Sequence, residues 1–314
     1  MTTAATGKPV AGAEPAPVRA RDLAPRRTTR AYSSEKRRST LLTVLLWLCA
    51  LYFVLPIAWL VIASTKDNSD LFSTFGYAFG HFNLFQNIHD VFTVSGGIYL
   101  QWALNTVIYA AVSALGASFL ATMAGYAFAK YRFPGANLMF SVVLGAIMIP
   151  LTALALPTYL IFSQFGITNT PWSVIVPSLV SPFGVFLMRV YAADAIPDSM
   201  IEAARVDGAG EWRIFWQVGL RLLGPGIVTV FLFALVATWN NYFLPLIMLN
   251  SSNLYPLTVG LAQQQATSAG GGGSQAMFST VITGSMVSII PLIIAFLFLQ
   301  RYWQTGLASG SVKE

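Results

Sequence analysis

Charged residues are scarce in this sequence. Only 10% of its 314 residues are Asp, Glu, Lys or Arg and 55% are hydrophobic, whereas ordinary soluble domains carry roughly 25% charged residues. A soluble core does not need this composition. The sequence therefore predicts an all-α integral membrane protein.

Residues and motifs that carry chemistry are scarce or absent in the sequence. The single cysteine, Cys49, lies inside an apolar run, so neither a disulfide framework nor a cysteine metal site is expected. His81 and His89 share one loop that has no ligand cluster, and no metal site is predicted. The chain also lacks the G-x-x-x-x-G-K-[ST] pattern that cradles phosphates. We therefore expect it to hydrolyse no ATP, to bind no cofactor and not to be an enzyme.

The basic residues are concentrated at one end of the chain. Nine of the 18 Lys and Arg residues precede residue 40. This placement indicates the cytoplasmic side of a membrane rather than a nucleic-acid groove. Residues 1–38 are predicted to be a disordered basic cytoplasmic tail. A cleaved signal peptide is the competing interpretation, but the apolar run from Leu41 to Ala63 is too long for one.

The remaining residues, 39–314, contain six apolar runs that can each span a membrane. The predicted spans are 41–63, 102–128, 138–162, 172–191, 222–249 and 281–299. If the basic tail is inside, 17 of the 18 Lys and Arg residues are internal and only Lys66 is external. The sequence thus predicts six transmembrane helices with both termini cytoplasmic. The glycines at 270–273 fit either a native external loop or an engineered spacer.

Small and bent positions distinguish individual spans. The second span has small residues for close helix packing, namely Gly116, Ala117, Ser118, Ala121 and Gly125. Four prolines, Pro150, Pro157, Pro177 and Pro182, interrupt the third and fourth spans. No charged residue lies in the middle of any span, although ion-coupled carriers often place one there. This absence weakens a secondary-carrier interpretation.

A short charge-bearing stretch, about 199–210, separates the fourth and fifth spans. Ser199 and Glu202 have the spacing of a capping box, which predicts a helix start. Gly208-Ala209-Gly210 is expected to end that helix after two to three turns. Held between two spans, the helix must lie at the membrane surface, where its alanines offer little bulk to a docking protein.

This stretch resembles the EAA loop of ATP-binding-cassette (ABC) importer permeases. Glu202-Ala203-Ala204 is followed after three residues by Gly208, and after nine more by Val218-Gly219-Leu220. The family pattern then has Pro, where this chain has Arg221. Pro225 is expected to set the next helix start instead.

Other segments resemble the smaller inner-membrane subunit of maltose-type carbohydrate importers. They are the Trp102 and Asn105 opening of the second span, the turn at 124–135 and the C-terminal tail. The resemblance implies the type I ABC importer fold in a prokaryotic cell membrane, multi-pass. It also implies a second homologous permease forming a heterodimer, two cytosolic ATPase subunits that hold ATP and Mg, and an extracytoplasmic solute-binding protein.

The resemblance also implies alternating access, with the 199–210 helix docking on the ATPase. The residues expected to couple the two are Glu202, Ala203, Ala204, Asp207 and Gly208. The implied cargo is a sugar, most simply a di- or oligosaccharide. The alternatives are an importer of another small polar solute, an ion-coupled secondary carrier, and a membrane scaffold without transport.

Neutral polar and aromatic residues are the candidates for a cargo path. Uncharged polyols stack on aromatic rings and need neutral hydrogen-bonding partners. The candidates in the spans are Asn105, Trp239, Asn240, Asn241 and Tyr242. Residues 239–242 equally fit an aromatic belt at the membrane surface. The Asn105 amide equally fits a hydrogen bond to a neighbouring helix.

Overall fold

The structure is a computed structural model that describes residues 40–269 and 277–308, with side chains as far as Gln300. The predicted tail 1–38 and the glycines 270–273 lie outside the described residues. Contacts divide the chain into two units, Met1–Leu51 and Tyr52–Glu314. The described part is helical and contains no β-strand, which confirms the predicted all-α class.

Fifteen α-helices make up the described part of the chain. In chain order they are α1 Thr40–Ser64, α2 Asn68–Ser73, α3 Leu84–Thr93, α4 Ile98–Lys130, α5 Ala136–Ile147, α6 Leu151–Gln164, α7 Trp172–Ser178, α8 Pro182–Ala195, α9 Asp198–Val206, α10 Glu211–Ile214, α11 Leu220–Leu222, α12 Gly224–Trp239, α13 Phe243–Met248, α14 Leu257–Ala269 and α15 Phe278–Ala308. A π-helical turn, Phe215–Gly219, joins α10 to α11.

Four stretches are long and apolar enough to cross a membrane without a sharp bend. They are Thr40–Ser64, Leu84–Lys130, Trp172–Ala195 and Phe278–Gln300. Two bent pairs raise the number to six if each pair is one span. The angle is 106° between α5 and α6, and 77° between Glu211–Leu222 and α12.

Proline marks both bends. Pro150 occupies the cap position of α6, where its missing N–H costs no helical hydrogen bond. Pro225 lies in the first turn of α12, so the expectation that it sets this helix start, after Arg221, is confirmed. A proline in a first turn is already close to helical geometry.

Two predicted span boundaries are wrong. The second span does not begin at residue 102, because α4 begins at Ile98 and belongs to an apolar helical stretch that starts at Leu84. The fifth span does not run unbroken to residue 249, because α12 ends at Trp239. The amide Nδ2 of Asn240 donates to Val236 O at 3.0 Å. Such local side-chain bonds compete with a continued helix.

The stretch between α1 and α4 is more ordered than a plain loop. Asn87 donates through Nδ2 to Ser64 O at 2.9 Å and to Lys66 O at 2.8 Å. Lys66 is buried, and its Nζ donates to Thr74 Oγ1 at 2.8 Å and to Phe75 O at 3.0 Å. These bonds satisfy polar groups that would be costly to bury unpaired.

α4 is packed closely between α8 and α12 by its small residues. Ala117, Ala121 and Gly125 are buried, which confirms the prediction of a close-packing face. A β-carbon added to Gly125 would lie 2.5 Å from Met188 Cβ and 2.7 Å from Arg189 N, so α8 leaves no space there. Backbones approach this closely only at small residues.

The Gly125→Ala substitution is expected to destabilise the protein by about 1–3 kcal/mol, because the added methyl forces α4 and α8 apart. Thermal unfolding of the purified protein measures this. Gly145→Ala in α5 is the matched control, since a β-carbon there meets nothing within 4 Å. Equal melting temperatures for the two variants would contradict the close approach of α4 and α8.

Candidate functional site

α9 is the helix expected to dock on a partner ATPase. It begins at Asp198, after Pro197 in extended conformation, and no side chain caps its first turn. The predicted capping box of Ser199 and Glu202 is therefore wrong. Pro197 takes the cap position, so Ser199 lies inside the helix, past the place from which a hydroxyl caps the free N–H groups. Asp198 instead places negative charge at the positive end of the helix dipole.

The end of α9 has the geometry expected from the glycines. Gly208 has a φ of +80°, in the left-handed region. Gly208 N donates to Arg205 O and Ala209 N donates to Ala204 O, both at 3.0 Å. This pair of bonds is a Schellman motif, which satisfies the last carbonyls of a helix. The helix is thus Asp198–Val206, two and a half turns long, and residues 207–210 form its closing turn.

One side of α9 is anchored and the other is exposed. Ile201 is buried in a cluster that includes Tyr126 and Ile214. Val206, by contrast, is 88% exposed. The predicted coupling residues are all exposed or half-buried: Glu202, Ala203, Ala204, Asp207 and Gly208. The outer side of α9 therefore offers small and apolar groups to a binding partner.

The start of α9 is joined to the end of α4 by an ion pair. Lys130 Nζ lies 2.8 Å from Asp198 Oδ1 and also donates to Ile196 O. The side chain of Lys130 is only 5% exposed, so its charge is held in place by these two partners. The hydrogen bond from Lys130 lowers the pKa of Asp198 below its usual range. The pair is therefore present above the ordinary aspartate pKa of 3.8 and is lost only as the pH falls through the lowered pKa.

The end of α9 is joined to the same part of α4 through Glu211. Arg205 donates to this carboxylate through Nε at 2.7 Å and through Nη2 at 3.2 Å. Tyr131, the residue after α4, donates its hydroxyl to Glu211 Oε2 at 2.9 Å. The bonds from Arg205 lower the pKa of Glu211, so it too stays ionised at neutral pH. The start of α9 is thus bonded to Lys130, and its end is connected through Glu211 to the next residue, Tyr131.

The predicted cargo residues 239–242 lie at the end of α12: Trp239 is its last residue, and residues 240–242 follow it outside a helix, contrary to the expected continuous span. Asn241 O accepts a hydrogen bond from Thr258 Oγ1 at 2.8 Å. The Asn241 side chain accepts from Leu244 N at 3.4 Å. Asn241 therefore holds the break between α12 and α13 together.

A cavity of about 370 Å³ lies beside this break. Trp239, Asn240 and Tyr242 line it together with residues of α14 and α15. The polar residues that these two helices contribute are Thr258, Gln265, Ser285 and Ser288. The lining contains no charged residue. Its rings, amides and hydroxyls are the groups that suit an uncharged polyol.

Asn105 is separate from the residues that line this cavity. Its amide Nδ2 donates to Asn253 O at 2.8 Å and to Tyr255 O at 3.0 Å. Its Oδ1 accepts from Gln101 Nε2 at 3.1 Å. Both amide hydrogens therefore have protein acceptors, and Asn105 makes the hydrogen bonds to a neighbouring segment that the sequence offered as the alternative.

Sequence reasoning missed four residues that fix α9. In the sequence, Lys130 and Tyr131 look like ordinary residues at the end of a span. Arg205 and Glu211 are six residues apart, which is not a spacing that brings side chains together on one face of a helix. The one signal in the sequence was the excess of basic residues on the predicted cytoplasmic side of the membrane. The residues that α14 adds to the cavity were also missed, because their stretch reads as an uncharged loop.

Comparison with known proteins identifies the family. The profile of the "binding-protein-dependent transport system inner membrane component" family matches residues 117–305, a range that includes α9 and the cavity. The chain belongs to this family. It is a multi-pass membrane protein and the permease subunit of an ABC importer.

Individual relatives cover almost the whole length of the chain. The arabinooligosaccharides transport system permease protein AraQ of Halalkalibacterium halodurans is 34% identical over 88% of this chain and 96% of its own. The lactose transport system permease protein LacG of Rhizobium radiobacter is 29% identical over 85% of this chain and 93% of its own.

A solved structure shows the same fold. It is a chain of a bacterial ABC transporter involved in the import of the acidic polysaccharide alginate. The TM-score is 0.73, the identity is 23%, and the match covers 86% of this chain and 98% of that one. The helices described above therefore form an ABC permease fold.

The Gly208→Val substitution is expected to block transport without removing the protein from the membrane. A β-branched residue is strained at positive φ, so the turn that closes α9 would open. Gly208→Asn is the matched control, because asparagine tolerates this conformation and a β-carbon at 208 meets nothing within 4 Å. Uptake in cells at equal expression measures both, and normal uptake by the valine variant would refute a role for the turn.

Proposed function

We propose that this chain is one of two permease subunits of an importer that takes up an uncharged di- or oligosaccharide. The observation that carries the cargo class is the uncharged cavity beside the break at 239–242. Its two aromatic rings, its amides and its hydroxyls match a sugar, and no lining residue could neutralise an ionised group. The relatives named for arabinooligosaccharides and lactose support the same class.

The proposed assembly has four further protein subunits beside this chain. A second, homologous permease completes a heterodimer, two cytosolic ATPase subunits bind ATP and Mg, and an extracytoplasmic protein delivers the sugar. This chain contributes six transmembrane helices with both termini cytoplasmic, in which α5–α6 and α10–α12 each count as one bent span. The basic residues support this orientation, because Lys130, Arg205 and Arg213 then lie on the cytoplasmic side with the tail.

Transport in this proposal follows alternating access. Closure of the ATPase subunits displaces α9, and the two permeases rock so that the cavity opens to one side or the other. Glu202 and Asp207 orient α9 on the ATPase, Ala203 and Ala204 permit its close approach, and Gly208 forms its turn. The chain itself binds no nucleotide and no cofactor.

The direct experiment uses the complex purified through this chain and reconstituted in lipid. ATP hydrolysis is measured with a panel of binding proteins and sugars. Stimulation by one pair would identify the cargo. If the stimulating cargo were another small polar solute, the importer would stand and the sugar assignment would fall.

The Trp239→Ala substitution is expected to weaken the response to the stimulating sugar. The loss of one stacking surface costs about 1 kcal/mol, roughly a fivefold rise in the half-saturating concentration. Transport of radiolabelled sugar into the liposomes measures it. Trp172→Ala is the matched control, since Trp172 is exposed at the start of α7 and outside the cavity lining. An equal response from the two variants would remove Trp239 from the cargo path.

A further inference from the structure

α4 is long and contains no proline, which suits it to transmit a displacement along its length. It is the longest of the described helices, with 33 residues, and is about 50 Å long at 1.5 Å per residue. It contains no proline, whereas α1, α6, α7 and α15 each have one inside the helix. Prolines are the commonest cause of sharp helix kinks. α4 therefore has no proline at which to kink.

One end of α4 is bonded to both ends of α9. Lys130 contacts Asp198 at its start, and Tyr131 contacts Glu211, which in turn holds Arg205 near its end. A displacement of α9 therefore acts on α4 at two points. A single bond would let α9 pivot, but two bonds at its opposite ends do not.

The other end of α4 is bonded to residues 252–257, here called the 252–257 loop, which comprises a short 3-10 turn, Ser252–Leu254, and leads into the first residue of α14. Trp102 Nε1 donates to Ser252 O at 2.7 Å, and Asn105 Nδ2 donates to Asn253 O and Tyr255 O. Tyr109 Oη donates to Leu254 O at 2.9 Å, and Thr106 Oγ1 accepts from Leu257 N at 2.8 Å. Four side chains of α4 thus bond four backbone carbonyls and one backbone N–H of residues 252–257.

The 252–257 loop continues directly into the cavity wall. Leu257 and Thr258, the first residues of α14, line the cavity. Thr258 also bonds Asn241 O, at the break between α12 and α13. A movement of the loop therefore reaches both the α14 side of the cavity and the break at 239–242.

We propose that α4 transmits the displacement of α9 to the 252–257 loop and so to the cavity wall. Lys130 and Tyr131 are positioning residues at one end, and Asn105 is a positioning residue at the other. The inference rests on the proposed function in one respect, that α9 is the helix that the ATPase moves. It assigns roles to three residues outside the predicted coupling set.

The test measures the number of sugar molecules imported per ATP hydrolysed by the complete complex in liposomes. Lys130→Met with Tyr131→Phe frees both ends of α9 from α4. We expect the ratio to fall about five- to tenfold, the lower range for coupling between two sites, while ATP hydrolysis continues. Lys130→Arg keeps the cation and is expected to preserve the ratio. Tyr77→Phe is the control for loss of a hydroxyl, since Tyr77 has only a 3.5 Å contact to Leu55 O.

A double-mutant cycle separates transmission from simple loss of stability. Lys130 and Asn105 lie about 37 Å apart along α4, a distance at which independent effects on stability add. If α4 transmits the displacement as one unit, substitutions at both of its ends lower the number of sugars imported per ATP no further than substitutions at one end. Losses that multiply when Asn105→Ala is added to Lys130→Met with Tyr131→Phe, or an unchanged ratio in the end variants, would overturn the proposal.

Two safeguards keep the result decisive. If the Lys130→Met complex does not assemble, Tyr131→Phe alone is compared with Tyr77→Phe, because each removes only one oxygen atom. Wild-type import of the sugar tests the proposed function by itself. The proposal fails where the wild type imports the sugar and the end variants either match its ratio or show losses that multiply.

Discussion

The close approach of α4 to its neighbours is the constraint on which the other features depend. Its small residues recur every three or four positions and are buried: Ala110, Ala114, Ala117, Ala121 and Gly125. Apolar side chains gain little by leaving lipid, so helices in a membrane associate through tight packing and internal hydrogen bonds. With α4 fixed between α8 and α12, both of its ends have defined positions. The α9 contacts and the 252–257 loop follow from those positions.

The functional regions lie where the regular helices stop. The chain leaves α8 at Ile196 and Pro197, turns through α9, and re-enters regular helix only after the π-helical turn and Pro225. The cavity lies at the second interruption, after Trp239. Irregular backbone at membrane depth is tolerated where protein or a cavity satisfies it, and Asn241 with Thr258 does so here.

Features encoded by local composition could be predicted from the sequence. Apolar runs located the helices, the spacing of Glu202 to Leu220 located α9, and Gly208 located its end, because glycine adopts positive φ without strain. The predicted start of α9 was wrong, because Pro197 and Ser199 lie within three residues of each other and both residue types are typical of helix starts. The predicted end of the fifth span was wrong, because apolar residues continue on both sides of Asn240 and Asn241 whereas the helix ends before them.

Features that depend on contacts between distant residues could not be predicted. Lys130 meets Asp198, and Trp102 meets Ser252, only after the helices have packed. A single sequence carries no periodic signal for such pairs. The amide of Asn105 illustrates this, since the sequence fits cargo binding and helix bonding equally, and its two backbone acceptors lie about 150 residues further along the chain.

The central claim, that α9 and α4 move together, is tested most directly by the distance between two spin labels in the assembled transporter. Labels at Val206 on α9 and Leu120 on α4 use exposed positions, with the single cysteine, Cys49, replaced by serine. The distance is measured without nucleotide and in the ATP-trapped state. The account predicts the same distance distribution in both states. A shift of that distribution on ATP binding would show that α9 moves independently of α4 and would contradict it.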